Sequence, residues 1–113
     1  MSLIKPDILT VMTKFASTLT TVVAEMKAKP GFEDQLRQEL LAMAVETNKE
    51  DGCVQYDLHE STGQKGAFLF YENWTSPEAL AKHGGSPHIS AFRAIRSDLL
   101  DEPARILIYN RIA

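Results

Sequence analysis

The stretch Ala67-Phe68-Leu69-Phe70-Tyr71-Glu72-Asn73-Trp74, followed by Thr75-Ser76-Pro77-Glu78, decides the fold. Alternation puts Phe68, Phe70, Glu72 and Trp74 on one face and Leu69, Tyr71 and Asn73 on the other, so the run predicts a strand apolar on both sides. Ser76-Pro77-Glu78 then reads as a helix start. Serine caps the first free N–H groups, and proline at the first helical position loses no hydrogen bond.

The same start recurs at Ser86-Pro87-His88, with Gly84-Gly85 breaking what would otherwise be one helix. The second segment carries His88, Phe92, Ile95 and Leu99 on one face, and Ala104 to Ile112 holds a last strand around Ile106-Leu107-Ile108-Tyr109. Upstream, Thr20 to Ala28 is β-branched at its start and ends at the Pro30-Gly31 turn, which predicts a first strand. Phe32, Leu36, Leu40, Met43 and Thr47 recur at helical spacing behind Glu33 and Asp34. The helix runs to Asp51-Gly52, where glycine suits a left-handed C-terminal position. From Cys53 to Glu60, Val54, Tyr56 and Leu58 alternate with Gln55, Asp57 and His59, a half-buried second strand.

The order is therefore strand, helix, strand, strand, helix, strand. That predicts an α+β, ferredoxin-like βαββαβ fold, an antiparallel sheet with its helices on one face, over residues 19–113. Residues 1–18 read as an N-terminal extension, with a helical turn through Ile8, Leu9, Val11, Met12 and Phe15. The last strand is also apolar on both sides, Ile106 and Ile108 against Leu107 and Tyr109, so helices on one face of the sheet leave four or five large side chains as an apolar patch on the other. A second copy packing sheet against sheet covers it, so a homodimer is expected.

Of 113 residues, 44% are apolar and 24% charged, with a net charge of -3 and scattered lysines and arginines, which argues against a nucleic-acid partner. The apolar run from Ile8 to Ala24 contains Lys14 and several hydroxyl residues. It is too polar for a membrane span and lacks the shape of a signal peptide. Cys53 is the only cysteine, which excludes an intrachain disulfide and a cysteine zinc site and suits a reducing cytoplasm.

Few residues carry chemistry. Glu72 shares its face with Phe70 and Trp74, and a carboxylate there needs a partner, Arg93 or Arg105, or has its pKa raised. Trp74 is either a core anchor or the wall of an aromatic slot. His83, at a helix end, satisfies free carbonyls or serves as a base. His88, in a first helical turn, is kept neutral by the dipole and is either a packing residue or a second base. The two histidines do not suggest a metal site, because no third ligand lies nearby in sequence. His59 points to solvent, Asn73 to the uncovered face, and Tyr56 and Tyr71 need hydrogen-bond partners.

Glu72-Asn73-Trp74-Thr75-Ser76 with Leu80 and His83, then Ser86-Pro87-His88 and Phe92, resembles the antibiotic biosynthesis monooxygenase family, whose form is E-x-W-x-S-x-x-x-L-x-x-H, a short gap, then [ST]-P-H-x-x-x-[FY]. Pro30-Gly31 and Glu50-Asp51-Gly52-Cys53-Val54-Gln55-Tyr56 fit the same family, and the likeness spans about residues 20–112. The resemblance implies a dimeric α/β barrel of two ferredoxin-like subunits, with a pocket between sheet and helices. It also implies a cofactor-independent monooxygenase oxidising a quinol or polyhydroxy-aromatic with O2, nearest to small bacterial quinol monooxygenase-like proteins. His83, His88 and Glu72 are then the expected catalytic residues. Trp74, Phe70, Phe92, Tyr56 and Arg93 are expected to bind substrate, with no metal and no other cofactor. Met26 stands where haem-degrading relatives carry Asn, and Phe92 or Arg93 where they carry the iron-binding His, so haem degradation is not expected. Phe70 replaces the Asn of polyketide-tailoring members. Two other readings stay open: an isomerase of a small phosphorylated sugar, using Arg93, Arg96 and Lys82 for the phosphate, and a non-catalytic ligand-binding dimer.

Overall fold

A computed structural model describes residues 19–113; the expected N-terminal extension lies outside the described residues. The chain runs β1 (Thr20–Lys27), α1 (Glu33–Thr47), β2 (Cys53–Glu60), β3 (Ala67–Trp74), α2 (Pro77–Gly84), α3 (Pro87–Leu99) and β4 (Arg105–Asn110). The strands form one antiparallel sheet in the order β2-β3-β1-β4, the ferredoxin-like arrangement. As Gly84-Gly85 predicts, the last helical region is two helices. Each has its serine in place, with Ser76 Oγ accepting from Ala79 N at 3.1 Å and Ser86 Oγ from Ile89 N at 3.4 Å.

Register brings the inward residues into rows across the sheet. Tyr56, Glu72, Val22 and Ile108 form one row, and Leu58, Phe70, Ala24 and Ile106 the next. Against these rows α1 packs Leu36, Leu40, Met43 and Thr47, and α3 packs Phe92 and Leu99, all buried. The helices lie over the β2–β3 side of the sheet, so Ile106 and Ile108 keep 55% and 61% of their surface although they face the helical side. The helices therefore lie on one face, as expected, and leave its β4 edge open.

Two local expectations are corrected. Val54 is exposed rather than inward, because Cys53 pairs with Trp74 and Gln55 with Asn73, which makes Val54 the extra residue of a β-bulge. Gly52 does not end α1, which stops at Thr47. It sits in the turn before β2 at φ +84°, where an added Cβ would stand 2.6 Å from the Ala79 Cβ and 2.9 Å from Thr75 Oγ1. Only glycine lets this turn press onto the start of α2. Thr75 N donates to Gly52 O at 2.9 Å and fixes the approach.

On the other face Thr21 Oγ1 donates to Asn73 Oδ1 at 2.5 Å, and Asn73 Nδ2 to Gln55 Oε1 at 2.9 Å, a polar ladder across three strands. Asn73 faces that side as expected, but it is buried and its partners belong to the same sheet. His59 is exposed there.

Candidate active site

A cavity of about 300 Å³ opens between the inner sheet face and α2–α3. Phe70, Tyr56, Val22, Ala24 and Met26 form its floor, and Met43, Phe92, Ile89 and Leu80 its helical side. Ile106 and Ile108 stand at the uncovered β4 side, and Arg93 and Arg96 also line it. Glu72 and His83 are the carboxyl and the imidazole that reach this largely apolar space. Larger, more open hollows of about 500 and 480 Å³ lie elsewhere and contain neither group.

Glu72 is buried, and the indole Nε1–H of Trp74 donates to its Oε1 at 2.9 Å. Burial pushes its carboxyl up to about 7; the indole hydrogen bond opposes this, and the Glu50 charge adds to it. The arginines expected to pair with Glu72 do not. Arg93 Nη2 donates to Gly84 O at 3.0 Å, and Arg105 pairs with Glu25 at 3.4 Å, because both are exposed while Glu72 faces the apolar floor. Trp74 is corrected from wall to anchor. It has no exposed surface and lies behind Glu72 rather than in the cavity lining.

His83 is held by the turn after α1. Glu50 Oε2 stands 2.6 Å from its Nδ1, and the ring packs 4.6 Å from Trp74 and 5.5 Å from Tyr56 between ring centroids. Burial lowers the pKa of this imidazole, partly offset by the hydrogen bond and charge of Glu50, so the ring is neutral at pH 7. With a carboxylate as acceptor, Nδ1 carries the proton and Nε2 the lone pair. Burial, followed by the Glu72 charge, pushes the Tyr56 hydroxyl strongly up, so it stays a neutral phenol; the Tyr56 ring stacks on Phe70 at 4.4 Å.

His88 is absent from the cavity lining. It lies on the far side of Glu50, with Nε2 2.8 Å from the same Oε2, 3.1 Å from Thr47 Oγ1 and 3.3 Å from Ser86 Oγ. It borders an outer crevice of about 410 Å³ with Glu50, Asp51, Lys49 and Lys82. Of the expected site residues, the fold brings His83, Glu72, Phe70, Phe92, Tyr56 and Arg93 to the cavity and leaves Trp74 and His88 behind it. Sequence reasoning gave Glu50 no role. It is the third donor near the two histidines, 33 positions from His83. The one available signal was its place in Glu50-Asp51-Gly52, ahead of a strand whose Tyr56 faces inward.

A sheet with its helices on one face, a serine-capped helix pair and a carboxylate-held histidine over an aromatic cavity define an α+β, ferredoxin-like protein with a histidine-lined cavity between sheet and helices. Residues 20–95 match the family described as antibiotic biosynthesis monooxygenase, and the chain belongs to it. The chain is similar to Rv0793 of Mycobacterium tuberculosis, provisionally named a monooxygenase: 38% identical over 87 residues, 77% of this chain and 85% of the relative. The Rv0793 structure superposes with a TM-score of 0.80, covering 85% of this chain and 97% of that one. PA3566 of Pseudomonas aeruginosa reaches 0.82 at 33% identity, covering 87% and 98%. YcnE of Bacillus subtilis, also provisionally named a monooxygenase, is 29% identical over 84 residues, 74% of this chain and 88% of the relative. No helix among the described residues is long and apolar enough to cross a membrane.

Proposed function

We propose that the protein is a monooxygenase that oxidises a quinol or related polyhydroxy-aromatic with O2 and no other cofactor, His83 being its base. The observation that carries this reading is the His83 imidazole, held by Glu50, lining an apolar, aromatic cavity. His83 Nε2 takes a phenolic proton from the substrate. Phe70, Phe92 and Tyr56 hold the ring, and protonated Glu72 has one O–H to donate to a second oxygen. The quinolate passes one electron to O2, and the two radicals join at a ring carbon. The resulting hydroperoxide loses water and leaves a carbonyl. A naphthoquinol and O2 thus give a hydroxynaphthoquinone and one H2O. Excluding bulk water keeps the charged intermediates paired.

Homodimerisation through the uncovered sheet face belongs to the same reading. It is supported by Tyr71 and Tyr109, 38% and 51% exposed, beside the half-buried Leu69 and Leu107. Sedimentation equilibrium at micromolar concentration is expected to give twice the chain mass; the single-chain mass would refute the dimer. The lone, half-buried Cys53, its thiol pushed up to about 11 by burial, fits a reducing cytosol.

Arg93 and Arg96 at the cavity favour one second reading, an isomerase of a small phosphorylated sugar. Lys82, expected to join them, lies at the outer crevice instead. Oxygen uptake with a freshly reduced naphthoquinol, measured above a no-protein blank, separates the two. Uptake that falls in His83→Ala is the expected result. Uptake equal to the blank across several quinols, with saturable binding of a sugar phosphate, would replace the first reading by the second.

A further inference from the structure

Glu50, His83 and His88 each offer one donor atom within 4.8 Å of the other two, and this convergence comes from three separate segments of the chain. The turn closed by Gly52 brings Glu50, the end of α2 brings His83, and the first turn of α3 brings His88. The carboxylate oxygen is 2.6 Å from one imidazole nitrogen and 2.8 Å from the other. Two donor atoms bound to a tetrahedral ion at about 2.1 Å stand about 3.4 Å apart, so the hydrogen-bonded carboxylate and imidazoles would each move apart by less than about 1 Å to admit one. The hydroxyl oxygens of Thr47 and Ser86 also point at His88 Nε2.

We propose that Glu50, His83 and His88 form a binding site for a divalent transition metal of the zinc class, entered from the outer crevice. Two imidazole nitrogens and one carboxylate suit zinc, cobalt or nickel; calcium and magnesium want more oxygens, and copper(I) wants sulfur. Three protein donors leave a coordination position open to water. Access is available because Glu50 and His88 keep 17% and 18% of their side-chain surface and border the crevice, whereas His83 keeps 9%. The crevice charges are mixed, with Asp51 beside Lys49 and Lys82, and the site itself adds one negative charge.

Binding changes His83. An ion on Nδ1 displaces the hydrogen donated to Glu50, and the neutral ring then carries its proton on Nε2. That removes the lone pair facing the substrate, so the metal is an inhibitor; this consequence rests on the proposed function, while the binding does not.

The test is calorimetric titration of zinc into tag-free, chelator-treated full chain, with cobalt(II) absorption as a second readout. One ion per chain, visible cobalt bands, and at least tenfold weaker binding in Glu50→Gln and in His88→Ala are expected, with His59→Ala unchanged. No heat of binding and no cobalt bands in the wild type would overturn the site, as would equal affinity in folded Glu50→Gln. Should both variants fail to fold, a wild-type cobalt spectrum without bands still refutes it. If zinc binds as described but leaves quinol-dependent oxygen uptake unchanged, the site stands and the role of His83 as base falls.

Discussion

The two faces of the sheet are built from alternate residues of the same strands, and they divide the work. On the inner face the middle of the sheet carries Phe70, Tyr56 and Glu72 under the helices, and it is there that burial moves the Glu72 carboxyl toward neutrality, opposite the buried His83 of α2. On the outer face Thr21, Asn73 and Gln55 satisfy one another beside Tyr71, Leu107 and Tyr109. One face collects groups whose protonation is adjustable, while the other pairs its polar atoms and leaves apolar surface for a partner. The comparison predicts that inner substitutions change chemistry and its pH dependence, and outer ones change assembly.

The strongest break is His83→Ala. Loss of a general base costs about 10²–10⁴ in kcat/KM, so turnover of a naphthoquinol is expected to fall at least tenfold with the dimer intact. An unchanged rate would move the base elsewhere.

Glu72→Gln sharpens the inner side. The wild-type carboxyl, raised from an ordinary value of 4.5 to about 7, contributes stability that is fully present below 4.5 and is lost as pH rises through about 7. Glutamine has no such loss. Its advantage in urea melts is expected to grow between those pH values to a ceiling of about 3 kcal/mol and then level off. A pH-independent difference would mean that Glu72 is ionised in the fold.

On the outer face, Leu107→Glu puts an unpaired charge into the expected dimer surface. Dimer dissociation is expected to become at least tenfold easier, about 1.4 kcal/mol, read by sedimentation. The smallest effect belongs to Thr21→Val, which removes the donor to Asn73. It is expected to cost about 1 kcal/mol in denaturant and to leave kcat/KM unchanged.

Much of this division is legible in the sequence, because a strand's period of two and a helix's spacing are local properties. Phe68-Phe70-Trp74 and Leu69-Tyr71 sort onto their faces without a structure, and Ser76-Pro77 and Ser86-Pro87 mark their helices. What escapes depends on contacts between distant segments or on one inserted residue. Val54 turns outward because a bulge shifts the register after Cys53. Glu72 finds the indole two residues on rather than an arginine, since Arg93 and Arg105 are exposed. Trp74 and His88 match the family pattern yet stand behind the cavity. Glu50 reaches His83 only through a turn that Gly52 permits.

The most direct test of the central claim is turnover of a naphthoquinol under ¹⁸O2, with early quenching and mass spectrometry of the product. The account predicts one labelled oxygen in a hydroxylated quinone, formed above the no-protein blank and lost in His83→Ala. Unlabelled quinone with hydrogen peroxide, or label no higher than the blank, would contradict it.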